Sequence, residues 1–364
     1  VLGATPAGLA AAGRLARAGR DVAVVDAPAQ SVDSPLARWV PGTFFQQSGL
    51  AKGLIKASGA RPFQRVCYHD PALERHAEHS SRSRAGYLLA GGKLTAALRA
   101  AARQAGARMH NSDTSPAVQL GEDTVEVRGA RPIAGRVLLV AQDEPARALG
   151  ELSLPARTVP SPPLRVAGLD VPLARAADAA GIAGALHLVG MSERSELGLF
   201  FAVGATVHLR VISSSPAAGT RADELSDLLT ALQGAGLLPG QLPLGRARGA
   251  VWTPPAGIAL ELDSHVAKRC LLVGTAGGFV DSITGHVAAP AVASALLAAD
   301  VAHEALDADD VQGALGRFKT AWRDALAQTL RPPSTSLQML LPLLFVNRRM
   351  VGKFTRALLE GQAI

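Results

Sequence analysis

The feature that most constrains this chain is its opening. A short apolar run, Val1-Leu2, leads into Gly3-Ala4-Thr5-Pro6-Ala7-Gly8 and then an Ala- and Leu-rich stretch. Gly3 permits a tight strand-to-helix turn. Pro6 stands where a first helical residue belongs, with φ preset and no N–H required. Gly8 lets the helix pack closely on the strand. The helix carries Leu9, Ala12, Leu15 and Ala16 on one face and stops at Gly19. Val22-Ala23-Val24-Val25 reads as a strand covered on both faces, with Asp26 at its tip. Such a turn aims backbone N–H groups and a helix N-terminus at a pyrophosphate, and an acid at the second strand's tip can accept from a ribose 2′-OH. The pattern matches the dinucleotide fingerprint except that Thr5 replaces the middle glycine. Its methyl crowds the phosphate, while its hydroxyl is able to donate to it. Gly3, Thr5, Pro6, Ala7, Gly8 and Asp26 are therefore the candidate cofactor contacts. A buried strand runs about five residues, so the sequence is expected to lack the start of its first strand.

The chain has 364 residues, 48% of them hydrophobic, enough for a large core or for two cores sharing an interface. With 3 Trp, 2 Tyr and 9 Phe, a nucleic-acid binder built on stacking platforms is not expected. The net charge of +7 is scattered along the chain and reads as a solvated surface. Cys67 and Cys270 are too few for a disulfide framework or a four-thiolate metal site and read as buried small hydrophobes. His69, His76 and His79, near Asp70 and Glu74, lack a recognised ligand spacing. They lie in the Arg-rich stretch Arg65–Arg84, which reads as a solvated loop, and no metal is expected. No signal-peptide pattern is visible, and no run approaches the roughly 18 apolar residues of a membrane span. A cytoplasmic location is expected.

Further along, a helix is expected over Gly92–Gln104, a strand around Ala107–His110, an exposed hairpin strand at Thr124–Arg128 and a buried strand at Arg136–Ala141. Pro155, Pro160, Pro162, Pro163 and Pro172 mark the crossing into a second unit. There Leu186–Val189, Leu197–Val203 and Thr206–Ile212 read as antiparallel strands, followed by a helix at Arg221–Gln233. Cys270–Val273 returns to a buried strand. Helices at Ala288–Leu306 and Val311–Leu330 follow, and Leu337–Leu359 closes the chain.

The strand Cys270–Val273 opens a second glycine-rich loop, Gly274-Thr275-Ala276-Gly277-Gly278, continuing to Thr284-Gly285-His286. Two such loops point to FAD rather than NAD, because FAD needs a second loop beside its ribityl chain and ring. Here the chain resembles the FAD-dependent monooxygenase, geranylgeranyl reductase and flavin-dependent halogenase superfamily with the para-hydroxybenzoate hydroxylase fold. That group's second motif reads Gly-Asp-Ala-Ala-Gly, then Pro-x-Thr-Gly-x-Gly. The resemblance covers the first 26 residues, the Tyr87–Ala107 region and Cys270–Leu306.

The resemblance implies an α/β protein. A Rossmann-like FAD/NAD(P)-binding domain is formed by 1–60, 87–149 and 263–306, and an antiparallel-sheet substrate domain by 61–86 and 150–262. A helical segment, 307–364, completes it. It implies FAD contacts at Gly274, Thr275, Gly277, Thr284 and Gly285, with NAD(P)H as a possible electron donor. Departures accompany it. Thr275 stands where the group has an Asp bonding the ribityl-phosphate region, so FAD is expected to be held weakly. Gly91 stands near an expected Arg, Gln142-Asp143-Glu144 replaces Ala-Asp-Gly, and Val287 replaces the second glycine of the ring-facing loop.

The implied activity is an FAD-dependent oxidoreductase acting on a hydrophobic organic or secondary-metabolite substrate, with hydroxylation leading. The alternatives are reduction of isoprenoid double bonds and a flavin-free binding or non-redox role. Phe200 and Phe201, in Leu199–Val203, are candidate substrate contacts. His286 is a candidate acid or base because its loop should face the ring. The closing segment carries Arg331, Arg348, Arg349, Lys353 and Arg356 against Glu360. It is expected to pack on the protein, with peripheral membrane contact as the alternative.

Overall fold

The computed structural model describes residues 1–26, 36–112, 116–129, 131–143, 148–150, 152–154, 164–191, 197–213, 221–332 and 337–361. The calls on Pro155, Pro160, Pro162, Pro163 and Glu144 lie outside these residues. The structure is a mixed α/β fold with two main sheets, joined by a small ribbon.

The first sheet is built on the opening turn. Leu2 forms parallel bridges to Val25 and to Val140, placing the end of the first strand between β1 (Ala23–Asp26) and β11 (Leu138–Val140). On the outer sides, β7 (Arg108–Asn111) pairs in parallel with β1, and β18 (Cys270–Leu272) with β11. β17 (Val266–Ala267) runs antiparallel at the edge. One face carries the helices α1 (Pro6–Arg17), α2 (Lys93–Gln104) and α4 (Ala288–Ala305). α1 and α4 meet through small residues: Ala7, Ala10 and Ala11 are buried, as are Ala291, Ala295, Ala298 and Ala299. Short side chains let the backbones approach, and Arg14 Nε bonds Asp300 at 2.7 Å across the pair. The other face is covered by an antiparallel ribbon of β8 (Ala117–Leu120), β9 (Val125–Arg128) and β10 (Ile133–Gly135).

The second sheet has the order β16-β12-β15-β14-β13-β4-β5. Its strands are β4 (Arg65–His69), β5 (His76–Ser80), β12 (Arg165–Pro172), β13 (Ala185–Gly190), β14 (Leu197–Val203), β15 (Thr206–Ser213) and β16 (Arg248–Trp252). Only β13 and β4 pair in parallel. One face packs on α3 (Arg221–Gly234) through Leu225, Leu228, Leu229 and Leu232. The other looks toward the first sheet across a ribbon of β2 (Arg38–Pro41), β6 (Gly86–Leu89) and β3 (Arg61–Phe63).

Several expectations are corrected. Arg65–Arg84 is not a solvated loop: β4 and β5 occupy most of it, with Val66, Cys67 and Tyr68 buried in the sheet. Pairing with β13 supplies the burial that the local composition does not announce. His69 lies opposite His76 across the hairpin, while His79 lies opposite Val66 and reaches Gly352, so the three do not converge. Among the described residues, no group of three His, Cys, Asp or Glu side chains is placed to hold a metal ion. Val311–Leu330 is two helices, α5 (Val311–Gly316) and α6 (Phe318–Leu330), broken after Gly316. Leu337–Leu359 is interrupted by a 3-10 turn containing Pro342, after which Asn347 caps α7 (Arg348–Glu360).

Both cysteines are buried, and burial pushes each thiol up to about 12. The apolar face of α7 is spent on the protein. Val351, Phe354, Leu358 and Leu359 join the core on the inner face of the large sheet, and the Thr355 hydroxyl is 2.8 Å from that of Tyr68. Burying such side chains contributes about 1.5–3 kcal/mol each. Among the described residues no helix is long and apolar enough to cross a membrane.

Candidate functional site

The loops that follow the first strand, β11 and β18 meet at the C-terminal ends of the first sheet's parallel strands. Gly3 has φ +104°, and a Cβ there would lie 2.7 Å from the carbonyl oxygen of Ala141. A Cβ on Gly8 would lie 2.1 Å from the carbonyl oxygen of Gly3. Both glycines are thus required by neighbouring backbone. Thr5 caps α1: its hydroxyl accepts from the Gly8 N–H at 3.2 Å and donates to Ala141 O at 2.9 Å. This corrects the expectation that Thr5 donates to a phosphate, since its proton is already engaged. Pro6 has no N–H, which leaves the Ala7 N–H as the first-turn donor for an anion.

Asp26 stands at the end of β1 as expected. Its Oδ2 accepts from Arg99 Nη2 at 2.7 Å, and both side chains are about one third exposed (32% and 28%). The acid at the ribose position is therefore held by a cation from α2.

The second glycine loop folds against the first. Gly274 has φ +60°, and its Cβ would lie 2.8 Å from that of Ala7. The Gly274 N–H donates to Ser294 Oγ of α4 at 3.0 Å. The Thr275 hydroxyl, fully buried, donates to Asp143 Oδ1 at 2.7 Å. The Gly277 carbonyl accepts from His265 Nε2 at 2.9 Å, and a Cβ there would lie 2.6 Å from the Phe279 ring.

The third loop follows. Asp281 Oδ1 accepts from the Ile283 N–H, the Thr284 N–H and the Thr284 hydroxyl, at 3.1, 2.6 and 2.8 Å. Burial pushes the Asp281 carboxyl up. Thr284 is committed to this turn. Gly285, at φ +62°, packs on Pro254, Leu164 and Val166 at the large sheet's edge. His286 is stacked on Trp39, with ring centroids 4.5 Å apart, and its Nε2 accepts from the Ala289 N–H at 3.3 Å. Burial, with the charges of Arg210 and Arg38, holds its pKa well below the ordinary value. His286 thus accepts from the first turn of α4.

The large sheet's inner face lies opposite. Phe200 and Phe201 are both fully buried but point to opposite faces, as successive strand residues must. Phe201 belongs to the layer facing the crevice. Phe200 packs behind the sheet against His187, at 4.7 Å between ring centroids, and cannot line the same wall, which corrects that candidate.

The inner layer also holds residues that the sequence reading missed. Asp170 and His208 lie directly opposite each other on β12 and β15, with Asp170 Oδ1 and His208 Nδ1 2.6 Å apart. Arg210 stands two residues further along, 5.0 Å from the Trp252 ring. Gly168 leaves room for Leu36 and Trp252, and Asp170 Oδ2 accepts from the Ala37 N–H at 3.0 Å. The signal was present in Thr206-Val-His-Leu-Arg-Val-Ile-Ser213, where His208 and Arg210 interrupt one face of an otherwise apolar strand.

No protein-family model matches the chain, and no curated protein matches its sequence. Solved structures do. A geranylgeranyl bacteriochlorophyll reductase-like protein from Thermoplasma acidophilum superposes with a TM-score of 0.71 at 16% identity, covering 98% of this chain and 94% of that one. The flavin-dependent halogenase CmlS gives 0.70 at 15% identity, covering 93% and 66%. The p-nitrophenol 4-monooxygenase PnpA from Pseudomonas putida DLL-E4 gives 0.66 at 16% identity, covering 98% and 92%. The chain has the fold that these solved structures share.

Proposed function

We propose that this chain is an FAD-dependent oxidoreductase acting on a hydrophobic organic molecule, with hydroxylation as the leading chemistry. The observation that carries the reading is the meeting of the glycine loops at the ends of the parallel strands. There the Gly3–Gly8 turn presents the α1 N-terminus, Asp26 stands at the second strand's tip, and Gly274 packs against Ala7 of that turn. The likeness to solved flavin-dependent proteins supports it. Gly3, Ala7 and Gly8 would cradle the pyrophosphate and Asp26 the adenosine ribose. Gly274 and Thr275 would lie beside the ribityl chain, and Gly285 on the ring side. A bound flavin supplies the redox chemistry. The chain's own residues bind and orient the substrate and exclude water, with Phe201, Leu199 and Ile212 as the apolar wall.

The glycine turn fits the dinucleotide half, because its backbone leaves no room for side chains where an anion would approach. The ribityl side fits less closely, since the Thr275 hydroxyl is already bonded to Asp143. FAD is therefore held mainly through its adenosine diphosphate half. The Thr275–Asp143 bond also favours a second reading, a flavin-free protein that binds its ligand on the same fold.

The visible spectrum of the purified protein, before and after incubation with FAD, tests the proposal. Flavin bands that persist through desalting are expected. A colourless protein that does not retain FAD would overturn it in favour of the flavin-free reading.

A further inference from the structure

A cleft of about 370 Å³ opens where the β5–β6 connection and the end of β2 meet the C-terminal half of α7. It lies at the end of the ribbon where Pro41 pairs with Gly86; Arg38 and Leu89 pair at the other end, where the chain turns into α2. No residue of the glycine loops lines it.

Three nitrogen-bearing side chains reach this cleft from three elements: His79 of β5, Arg84 of the β5–β6 connection and Arg356 of α7. Arg84 Nη1 donates to the Tyr87 hydroxyl at 2.6 Å, and its guanidinium lies 5.9 Å from the centre of that ring. Tyr87 is itself buried and set edge-on against Phe45 at 5.0 Å. It therefore fixes the guanidinium while leaving most of its five N–H groups unspent. Arg356 Nη1 and His79 Nδ1 approach one point, 3.8 and 3.7 Å from where a Cβ on Gly352 would stand. Neither side chain makes a hydrogen bond or an ion pair to a described residue. Thr43, Ser81 and Ser83 add hydroxyls, and Ser81 Oγ accepts from the Ser83 N–H at 3.2 Å, which holds both serines in one turn. Glu360 is the one carboxylate among the described lining residues, and it has a partner of its own.

Two guanidiniums sharing one cleft repel each other, and an anion between them reverses the sign of that interaction. Their forked N–H groups match the oxygens of a carboxylate or a phosphate. Donors on separate walls, with hydroxyls besides, outnumber the two oxygens of a carboxylate. A phosphate monoester offers three oxygens and close to two charges. The exposed large apolar side chains nearest in sequence, Met339, Leu343 and Val346, do not line the cleft. A lipid headgroup would bring acyl chains that find no apolar surface there.

We propose that this cleft binds the phosphate group of a small water-soluble phosphate monoester, clamped between Arg84 and Arg356, with His79 and the serine hydroxyls completing its shell. The site goes beyond the flavin reading and does not depend on it. Its occupant ties α7 to the β2–β6 ribbon, whose Trp39 stacks on His286.

Inorganic phosphate and glycerol 3-phosphate, titrated into the full chain by calorimetry at constant ionic strength, test the proposal. Flavin content is recorded from the spectrum first. Saturable binding of both is expected, and its absence for both overturns the proposal. Arg84→Ala and Arg356→Ala should each weaken binding about tenfold or more, and Arg356→Lys should recover part of the loss. Gly352→Leu separates binding from folding. Its Cβ meets only ordinary contacts and leucine suits a helix better than glycine, so melting temperature should hold or rise while the side chain fills the space between His79 and Arg356 and phosphate binding is lost. Undiminished binding in Gly352→Leu and Arg356→Ala overturns the site. Lys353 is exposed on the same helix and does not line the cleft, so Lys353→Ala should bind as the parent does. An equal loss there would mean diffuse charge and no site. Phosphate that binds Arg356→Ala as tightly as the parent and is displaced by FAD sits at the opening turn, which also overturns the proposal. So does binding to phosphatidylcholine vesicles carrying phosphatidic acid with no binding of either soluble probe. A colourless protein that meets every expectation keeps this site and sinks the cofactor reading alone.

Discussion

The glycine loops and the sheet face opposite them satisfy their buried polar groups to different degrees. Among the glycine loops, Thr5 bonds Ala141 and Gly8, Gly274 bonds Ser294, Thr275 bonds Asp143 and His286 caps α4, with Gln142 Oε1 the exception that meets no partner. On the sheet face, His208 Nε2 and the indoles of Trp39 and Trp252 are left unmet. Internally bonded groups hold the loops in register whether or not a ligand arrives. Unmet groups cost stability and make sense only against something the fold itself does not provide. Architecture and chemistry are thus separated across the two regions.

The largest test of that separation is Gly8→Ala. Its Cβ would lie 2.1 Å from a backbone oxygen, so a loss of about 3 kcal/mol is expected, measured by urea unfolding. Gly19→Ala is the control. Gly19 has φ +81° with nothing within 4 Å of a Cβ, so only backbone strain of about 1 kcal/mol applies. Equal losses would mean that the crevice backbone yields and is not fixed architecture.

Thr275→Asp comes next. It sets a carboxylate where a hydroxyl now donates to Asp143, in a buried site where like charges repel. A loss of about 2 kcal/mol at neutral pH is expected, shrinking as pH falls and one acid takes a proton. Melting temperature and FAD affinity on the same sample decide it. A stable variant with tighter FAD would show that the crevice is open to the cofactor after all.

A pH series separates the histidines. Burial lowers His69 and His265 to about 4 and His187 to about 3. The unfolded chain protonates near 6.5, so stability should be complete above that pH and decline as pH falls toward about 4. His187→Phe should flatten part of the decline in a plot of melting temperature against pH. The smallest effect on stability is expected for Asp26→Ala. Its partly exposed pair with Arg99 contributes under about 1 kcal/mol, and a double-mutant cycle with Arg99→Ala measures it. FAD affinity should fall about tenfold or more in the same variant. Unchanged affinity would make Asp26 a structural acid only.

The opening turn was legible because its requirements are local: Gly3, Pro6 and Gly8 each satisfy a backbone demand within a few residues. β14 appears at Leu197–Val203 as read, and α4 ends one residue short of the expected Leu306. What escaped depends on distant partners. β4 is made a strand by β13, more than a hundred residues away, so Arg65-Val-Cys-Tyr-His69 looked like loop. Phe200 and Phe201 were taken together although a strand's alternation must separate them. The His208–Asp170 couple required the register of β12 with β15, which no local pattern states. The bond from the Ala289 N–H to the His286 ring likewise needed the geometry of the turn before α4.

The close approach of Gly8 to Gly3 has a consequence for descent. The carbonyl that excludes a side chain at position 8 belongs to the protein, so a lineage that lost its nucleotide would still be held to glycine there. Position 5 is different: its occupant answers to whatever lies beyond the turn, and a threonine has settled there by bonding inward. The glycines of such a turn are therefore a record of inherited packing. The memory of a ligand survives only where the ligand was the sole reason for the residue.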